Sequence, residues 1–526
     1  MKNRKNTTFT EEWELYEKGK EYNYSIDLYE KVNTNERFYR GDQWDNLNAG
    51  GLPTPVFNIF KRIIGFFTSS IMQTPVKMRY SFACPTGGNG FGEEEAGAAS
   101  EKLNSIAEMR WEKNKMNDLL ASSLTDAAVS GDAVCYTYWD PDIKTGQPFT
   151  GDFKSVLIDN TNVFFGDPNS KNVQKQPYIL IAQRETVSDL IAQAKKNGMQ
   201  KEQIDKIAPD DDTVTQSGDM AKIELEGTKC ISLIKLWKDE SGRVLYRKSV
   251  KNAIIKDTTE TMLSLYPIAF FNWNPIKNSW HGQAVGTGLI DNQIFINKGF
   301  AMVMKHMMDT AFSKVVYDST VLDGWSDRVG EAIAVNGPVE NVAKVISPGS
   351  MQSGMLEVIS MAIENTKEFL GATDAALGDV APNNTSAILA LQNASAVPLE
   401  NVKRGLYQFV EDIGLIWLDF MFSYYDDKRL VAIMSDGKER YEAFSLSEFK
   451  DQIIACRVDV GASSYWSEIS SLNTLDNLLK LGRISTVQYL ERLPEGLIAD
   501  KNRLIEEIRS AEAEMKETEM ITLEKN

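Results

Sequence analysis

The stretch 371–425 constrains the fold most, because a loop-forming segment leads directly into a long helical pattern. Residues 371–384 are rich in Gly, Asp, Asn and Ala with one Pro, a composition that predicts a flexible loop. Residues 385–425 place apolar side chains at three- and four-residue intervals, which predicts a helix with one buried face. That face consists of Leu406, Phe409, Val410, Ile413, Ile416, Trp417 and Phe420.

Pro398 lies inside this helical pattern. A proline in a helix interior removes a backbone donor and clashes with the carbonyl one turn back, so we predict a kink near residues 394–397. Uninterrupted, 385–425 would span roughly 60 Å at about 1.5 Å per residue. A helix of this length is typical of a large structural element rather than of a ligand pocket.

The overall charge argues against tight binding to nucleic acid. The chain has 57 basic and 74 acidic residues, a net charge of −17, which is the wrong sign for phosphate-driven affinity. Weak contact with DNA remains compatible with this charge. With 526 residues, we expect several domains and a sizeable buried core.

Cysteine usage and apolar runs favour a soluble protein of a reducing compartment. The four cysteines lie far apart without a CxxC pair, so neither a zinc site nor a disulfide framework is indicated. The N-terminal region shows no apolar segment of the kind found in signal peptides. The longest apolar runs are far too short to cross a membrane, so we expect no membrane association.

The periodicity changes along the chain. Residues 1–130 are mainly helical, and the aromatic helix predicted at 10–33 is expected to pack on a neighbouring layer. Strand patterns follow in 131–280, which predicts an α+β domain with a mostly antiparallel sheet. Asp140–Gly146 lacks the full ligand series of an EF-hand and is interpreted as a hairpin turn. A helix is also predicted at 185–206.

The second half of the chain alternates between helices and short strands. A helix with a methionine-rich stretch is predicted at 284–313, followed by three short strands within 314–346 and a helix at 351–369. Three more strands follow the long helix, and residues from 467 onward are predicted to be helical.

Motifs of catalysis are not found in a suitable context. The chain has no phosphate-binding G-x-x-x-x-G-K-[ST], G-x-S-x-G or H-E-x-x-H motif. His281 and His306 are too few for a histidine-based metal centre, and each is predicted to be an ordinary hydrogen-bonding residue. We therefore assign no catalytic, cofactor-binding or metal-binding residue and predict that the protein is not an enzyme.

The order of these parts, with four short motifs, resembles the portal proteins of tailed bacteriophages. The motifs are RFYRGDQW (37–44), PTPVFNIF (53–60), HGQAVGTGLIDNQIFINKG (281–299) and NNTSAILALQNASAVPLENVKRGLYQFVEDIG (383–414). The resemblance covers roughly residues 30–505.

The resemblance implies a portal-like α+β architecture. Its parts would be an N-terminal helical part of the wing at 1–130, an α+β wing domain at 131–280, a first stem helix at 281–313, a β clip at 314–350, a second stem helix at 351–370, a tunnel loop at 371–384, the long kinked helix at 385–425, wing strands at 426–463, and a helical crown with a C-terminal tail at 464–526.

The resemblance also implies a function and partners. Members of the family form a ring, usually of twelve subunits, at one capsid vertex of the virion. Double-stranded DNA passes through it non-specifically during packaging and ejection. Partners would be the terminase large subunit, which hydrolyses ATP, the major capsid or scaffolding protein, and a head-tail adaptor. Assembly would take place in the host cytoplasm, and no cofactor is implied.

The net negative charge of the expected channel segment is consistent with a channel that DNA passes through without tight binding. Residues 281–425 contain 8 Lys/Arg and 16 Asp/Glu, a balance of −8, which favours weak contact with DNA. Lys298, Lys305 and Lys344 are candidates for transient contacts with phosphates, although solvated charges or ion pairs between subunits explain them equally well. In the loop, Asp379, Asn383 and Asn384 are candidates to line the channel.

Two other functions stay open from the residues alone. One is a different virion scaffold or adaptor that never touches DNA. The other is a soluble hydrolase whose carboxylate site is hidden among the acidic loops.

Overall fold

The computed structural model describes residues 10–45, 47–73, 76–82, 93–210, 229–311, 314–322, 342–346, 354–369, 397–425, 429–435, 438–445, 454–459 and 475–493, with single or short positions at 324, 326, 328, 334–336, 338, 340, 449, 501, 503–505, 508 and 509. The chain forms two compact units. The first contains residues 1–71 and 78–457, and the second contains residues 72–77 and 458–526.

The described helices and strands alternate irregularly, as expected for an α+β protein. The helices are α1 (Glu11–Ser25), α2 (Leu28–Arg40), α3 (Ile59–Met72), α4 (Glu93–Lys113), α5 (Met116–Ser130), α6 (Val187–Lys196), α7 (Lys201–Ile204), α8 (Ile290–Ala311), α9 (Gly354–Phe369), α10 (Glu400–Tyr424) and α11 (Thr486–Arg492). The strands are β1 (Lys77–Phe82), β2 (Asp132–Lys144), β3 (Thr150–Ile158), β4 (Val163–Phe165), β5 (Ile179–Thr186), β6 (Lys229–Lys238), β7 (Val244–Val250), β8 (Ala253–Glu260), β9 (Ile268–Asn272), β10 (Asn274–Pro275), β11 (Gly282–Gln283), β12 (Lys314–Tyr317), β13 (Ala343–Ile346), β14 (Arg429–Ser435), β15 (Lys438–Phe444) and β16 (Ile454–Asp459).

The sheets of residues 131–280 are antiparallel, as predicted. One sheet has the order β3-β2-β9 and the other has the order β4-β5-β6-β7-β8. Strands β2 and β3 form a hairpin, which confirms the hairpin interpretation of this region, but the turn lies at residues 145–149 because residues 140–144 still belong to β2. Strands β3, β7 and β8 were not predicted, because their sequences mix charged and hydroxyl residues with the apolar ones.

Helices cover both faces of the five-stranded sheet. Trp13 and Tyr16 of α1 pack on one face with Ile231 and Leu233, as predicted for this aromatic helix. Side chains of successive strand residues point to opposite faces, so Cys230 lies on the other face, against Leu190 and Ala194 of α6.

Two predicted helices are shorter than expected. The helix predicted at 10–33 is interrupted at Asp27, whose φ of 56° places it in the left-handed region, where a right-handed helix cannot continue. The helix predicted at 185–206 is also wrong at its start, because Glu185 and Thr186 belong to β5. The Thr186 hydroxyl accepts a hydrogen bond from Asp189 N, so Thr186 caps α6 instead.

Helix α10 packs its apolar face on the three-stranded sheet. All seven residues predicted for this face are buried. Phe409 lies against Phe271 of β9, and Trp417 lies against Phe153 of β3, with ring centroids 5.3 Å apart in both pairs. Burial of these side chains anchors α10 to the sheet, since each large apolar side chain contributes about 1.5–3 kcal/mol when it is removed from water.

Hydrogen bonds fix the position of α10 along the sheet. Trp417 Nε1 donates to Ser155 Oγ at 2.8 Å, and the Tyr80 hydroxyl donates to the carbonyl of Gly414 at 2.7 Å. A side chain at position 414 would collide with Cys456, so this close approach requires glycine. Asp419 accepts hydrogen bonds from the backbone N–H groups of Ser264 and Leu265, while burial raises its pKa.

The described residues of the second unit from 475 onward are mainly helical, as predicted for the C-terminal region. Residues 475–480 and Thr486–Arg492 are helical, and Ser485 forms a capping box with Gln488. Val487, Leu490, Leu493 and Ile505 form a small apolar cluster of this unit.

Truncation of Trp417 tests the role of α10. We expect Trp417→Ala to lower the free energy of unfolding by about 3–5 kcal/mol, because it leaves a cavity and removes one of the hydrogen-bond partners of Ser155. Leu415→Ala, an exposed position of the same helix, should change it by less than about 0.5 kcal/mol. Urea unfolding followed by circular dichroism measures both. Equal effects of the two substitutions would contradict this account of α10.

Candidate functional site: the helix–hairpin–helix segment and its base

Helix α8, the hairpin β12–β13 and helix α9 form the helix–hairpin–helix segment, residues 290–369. Helix α8 begins after a 3-10 turn, Gly286–Leu289, and its first half is inserted among other elements of the first unit. Gln293, Ile296 and Asn297 are buried there. Gln293 and Asn297 are four residues apart, so both lie on one face of the helix.

These two amides belong to a buried chain of hydrogen bonds. Gln293 Oε1 accepts from Phe60 N at 3.1 Å, and its Nε2 donates to the carbonyl of Phe57 at 2.8 Å. Asn297 Nδ2 donates to Gln43 Oε1 at 2.7 Å, and its Oδ1 accepts from Gln293 Nε2 at 3.0 Å. Three of the four motifs singled out in the sequence meet here, since Gln43, Phe57 and Gln293 come from separate motifs.

Sequence reasoning did not find this amide chain. Its partners are more than 230 residues apart along the chain, and spacing gives no information on such pairings. The available signal was two amides at helical spacing among apolar residues, a pattern that requires buried hydrogen-bond partners.

Helices α8 and α9 pack closely against each other. Gly299 is buried, and a Cβ atom at this position would lie 2.9 Å from Cγ1 of Ile359. Glycine therefore allows the closest approach of the two helices at this point. Ile359 is itself buried by the contact.

The segment exposes many large apolar side chains beyond its base. Met307 is 61% exposed and Met361 is 58% exposed. The other exposed large apolar residues in the described part of the segment are Met302, Met304, Met308, Val316, Tyr317, Val345, Leu356 and Val358, and Phe295 is exposed at the base itself. Such a concentration on one segment is typical of a surface that another protein surface covers.

The predicted strands at 314–317 and 342–346 pair with each other. Strands β12 and β13 are antiparallel, and Val316 lies opposite Lys344. The strand predicted at 332–335 has only residues 334 and 335 among the described ones, and these are not in a strand.

The predicted basic residues have different surroundings. Lys298 and Lys344 are exposed. Lys305 is half-buried and forms an ion pair with Asp309, one turn further along α8. These positions do not test a role in DNA contact, which stays a prediction.

The remaining predicted positions lie partly outside the described residues. Asp379, Asn383 and Asn384 belong to the undescribed stretch 370–396. Pro398 lies in a 3-10 turn, Val397–Leu399, which leads directly into α10. The kink predicted at 394–397 therefore stays a prediction.

His281 forms a hydrogen bond, as predicted, within a cluster around the buried Asp132. The Nδ1 atom of His281 lies 2.7 Å from Asp132 Oδ2. Asp132 also accepts hydrogen bonds from Gly282 N and from the side-chain amides of Asn160 and Asn272. The cluster joins the start of β2 to the chain that leads into α8.

The chain matches the family model of phage P22-like portal proteins over residues 19–463. The chain belongs to this portal family. The match includes the helix–hairpin–helix segment, its base and α10. No curated protein matches the chain significantly.

Membership of the portal family defines the role at a coarse level. The protein is a structural component of the phage virion at a capsid vertex, with a role in genome packaging. The family is structural rather than enzymatic, and it implies an oligomeric ring that contacts the capsid and the packaging machinery.

The part of the chain that the structure describes contains neither a cluster of metal ligands nor a helix suited to a membrane. No group of three or more His, Cys, Asp or Glu side chains there is arranged to hold a metal ion. None of the described helices combines the length and apolar character that crossing a membrane requires.

Substitution at the base of α8 tests the amide chain. We expect Asn297→Leu to lower the free energy of unfolding by about 1–3 kcal/mol, because it leaves Gln43 Oε1 buried without its donor. Asn292→Leu, an exposed position of the same helix, is the matched control and should have little effect. Thermal and urea unfolding measure both variants. An Asn297→Leu protein as stable as the control would contradict the importance of this chain.

Proposed function

We propose that copies of this protein form a ring around an axial channel through which double-stranded DNA enters and leaves the capsid. In this proposal α8 and α9 are the stem helices, and the hairpin β12–β13 belongs to the clip. The observation that carries the proposal is the set of exposed apolar side chains on the helix–hairpin–helix segment.

These apolar side chains support side-by-side packing of the segment with its copies. A single chain that exposed them to water would lose the stabilisation that burial provides, which is about 25 cal/mol per Å² of apolar surface. Four exposed methionines of α8 lie between positions 302 and 308. Methionine is flexible and polarisable, so such a contact tolerates small shifts between subunits.

The charge of residues 281–425 supports passage of DNA without tight binding. Its 8 basic and 16 acidic residues give −8 per subunit, so the channel would repel phosphates overall. We propose that the exposed Lys298 and Lys344 make transient phosphate contacts. Lys305 is the weaker candidate, because its ammonium is already paired with Asp309.

The remaining parts follow the family architecture in this proposal. The N-terminal region 1–130, the sheets of 131–280 and the strands of 426–463 form the wing, and residues 464–526 form the crown with its tail. Residues 371–384 form a loop in the channel, where Asp379, Asn383 and Asn384 face the DNA, and residues 385–425 form the long helix kinked at Pro398.

The ring contains twelve subunits and assembles in the host cytoplasm. It docks the terminase large subunit, the major capsid or scaffolding protein and a head-tail adaptor.

Charged substitutions on the helix–hairpin–helix segment test the ring contact. We expect the double variant Met307→Glu, Met361→Glu to fold but to stay at the mass of a 59.0 kDa monomer, because each interface would bury unpaired carboxylates. Met262→Glu, at a position 60% exposed outside the segment, is the matched control and should form rings. Native mass spectrometry and negative-stain imaging provide the readout. Normal rings of the double variant would overturn the proposed contact.

Deletion of residues 373–384 tests the channel function separately from assembly. We expect rings to form but DNA packaging or genome retention to fall strongly, because the loop would no longer contact DNA in the channel. A variant with Asp379, Asn383 and Asn384 all changed to Ala keeps the length of the loop and isolates the role of its side chains. The DNA content of purified heads is the measurement. Normal packaging and retention by the deletion variant would instead favour an adaptor that never touches DNA.

A further inference from the structure

A cavity of about 640 Å³ lies between the two sheets of residues 131–280. Tyr138 of β2 contributes to one wall, and Tyr246 of β7 and Lys256 of β8 contribute to the other. Pro141 and Thr259 line the cavity as well and are themselves exposed, so solvent reaches it. This volume is sufficient for a small molecule, and the portal role described above does not use it.

Flat aromatic side chains make up much of the wall. Trp139 stacks on Tyr424 with ring centroids 4.6 Å apart, and Tyr136 stacks on Tyr138 with ring centroids 5.7 Å apart. All four residues line the cavity together with Tyr246. Aromatic rings pack favourably against another ring in offset-stacked or edge-to-face arrangements, so this wall favours an aromatic occupant over an aliphatic one.

Two lysines lie next to each other on the β7–β8 side of the cavity. Lys248 and Lys256 are directly opposite in the register of these antiparallel strands, and both line the cavity. Lys248 Nζ lies 2.6 Å from Glu185 Oε1, which neutralises its charge. Lys256 is half-buried and forms no ion pair with a described residue, and its ammonium lies 5.2 Å from the centroid of the Tyr246 ring. Lys256 is therefore a reachable cation that lacks a counterion.

The acidic group in the wall does not supply this counterion. Glu260 is the one Asp or Glu among the described residues that line the cavity, and its carboxylate is already paired with Arg243. Like charges directly opposite each other on a sheet are destabilising, so an anion beside Lys256 would also reduce its repulsion from Lys248. The charges of the wall thus favour an anionic occupant.

Phenol groups of the same wall are suited to donate hydrogen bonds to an anion. Tyr138 and Tyr246 are half-buried, and neither hydroxyl forms a hydrogen bond with a described residue. Burial raises the pKa of both hydroxyls, so both carry their hydrogen at neutral pH. Burial also raises the pKa of Tyr136, and repulsion by Tyr246 and Tyr138 raises this pKa further, so hydroxyls from the two walls lie near one another. A carboxylate can only accept hydrogen bonds, which matches these donors.

We propose that this cavity binds a small aromatic carboxylate, whose ring packs against the aromatic wall and whose carboxylate accepts hydrogen bonds from Lys256 Nζ and the Tyr246 hydroxyl. Binding at this place does not require ring assembly, so it is measurable on the purified protein in any oligomeric state.

The probe is 2-naphthoate, a flat aromatic carboxylate that is ionised at about pH 7.5, well above the pKa of an ordinary carboxyl group. Two control compounds separate the contributions of charge and ring. The amide 2-naphthamide keeps the rings and lacks the charge, whereas cyclohexanecarboxylate keeps the charge and lacks the aromatic ring. Binding to the full-length protein is measured by isothermal titration calorimetry.

Protein variants test the two proposed donors. Lys256→Gln removes the ammonium at a half-buried position of the edge strand β8, and Lys256→Arg keeps a cation there. Tyr246→Phe removes only the hydroxyl. Lys277→Gln, at an exposed position that does not line the cavity, is the matched control. Urea unfolding followed by circular dichroism verifies that each variant folds.

We expect 2-naphthoate to bind the native, Lys277→Gln and Lys256→Arg proteins with affinities within about threefold of each other, and to bind Lys256→Gln about tenfold more weakly or not at all, since the loss of a hydrogen bond to a charged group corresponds to about this factor. Tyr246→Phe should weaken binding in the same direction.

The proposal is wrong if 2-naphthoate does not bind, if either control compound binds as tightly, or if both Lys256→Gln and Tyr246→Phe keep the native affinity. A structure of the complex with the carboxylate away from Lys256 would also overturn it.

Discussion

Burial of one face of α10 against the three-stranded sheet holds the first unit together. The helix contacts strand residues that lie far earlier in the sequence, from 138 residues for Phe271 and Phe409 to 285 residues for Trp139 and Tyr424, and all seven of its predicted apolar positions are buried. Polar groups then set its position, because the indole of Trp417 and the carbonyl of Gly414 each have one defined partner. Apolar burial thus provides the stability, and hydrogen bonds select one arrangement.

The helix–hairpin–helix segment combines a polar base with an apolar exposed part. At the base, buried amides permit only one alignment of α8, because any shift would leave donors and acceptors unpaired. Further along the segment, methionine and valine side chains form no strong hydrogen bonds, so they do not fix the orientation of a partner surface. In the proposed ring, the orientation of the segment would therefore be fixed from within each subunit, and contacts between subunits could adjust.

Local patterns predicted the elements well, and distant pairings could not be predicted. The buried face of α10, strand β2 with a hairpin turn after it, and the strands β12 and β13 followed from periodicity and turn residues, whereas β3 was not predicted. The break at Asp27 and the strands β7 and β8 did not, because tertiary contacts override weak local preferences there. The amide chain and the Asp132–His281 cluster join residues 149 to 254 positions apart, a relation that spacing does not encode.

The amide chain at the base of α8 also constrains how the sequence can change over time. Gln43, Gln293 and Asn297 complement each other as donor and acceptor, so replacement of one member alone leaves a buried polar atom without a partner. Evolution can exchange this trio for an apolar set only through coordinated substitutions at sites 254 residues apart. Covariation among these positions should therefore help to align the sequences of remote members of the family.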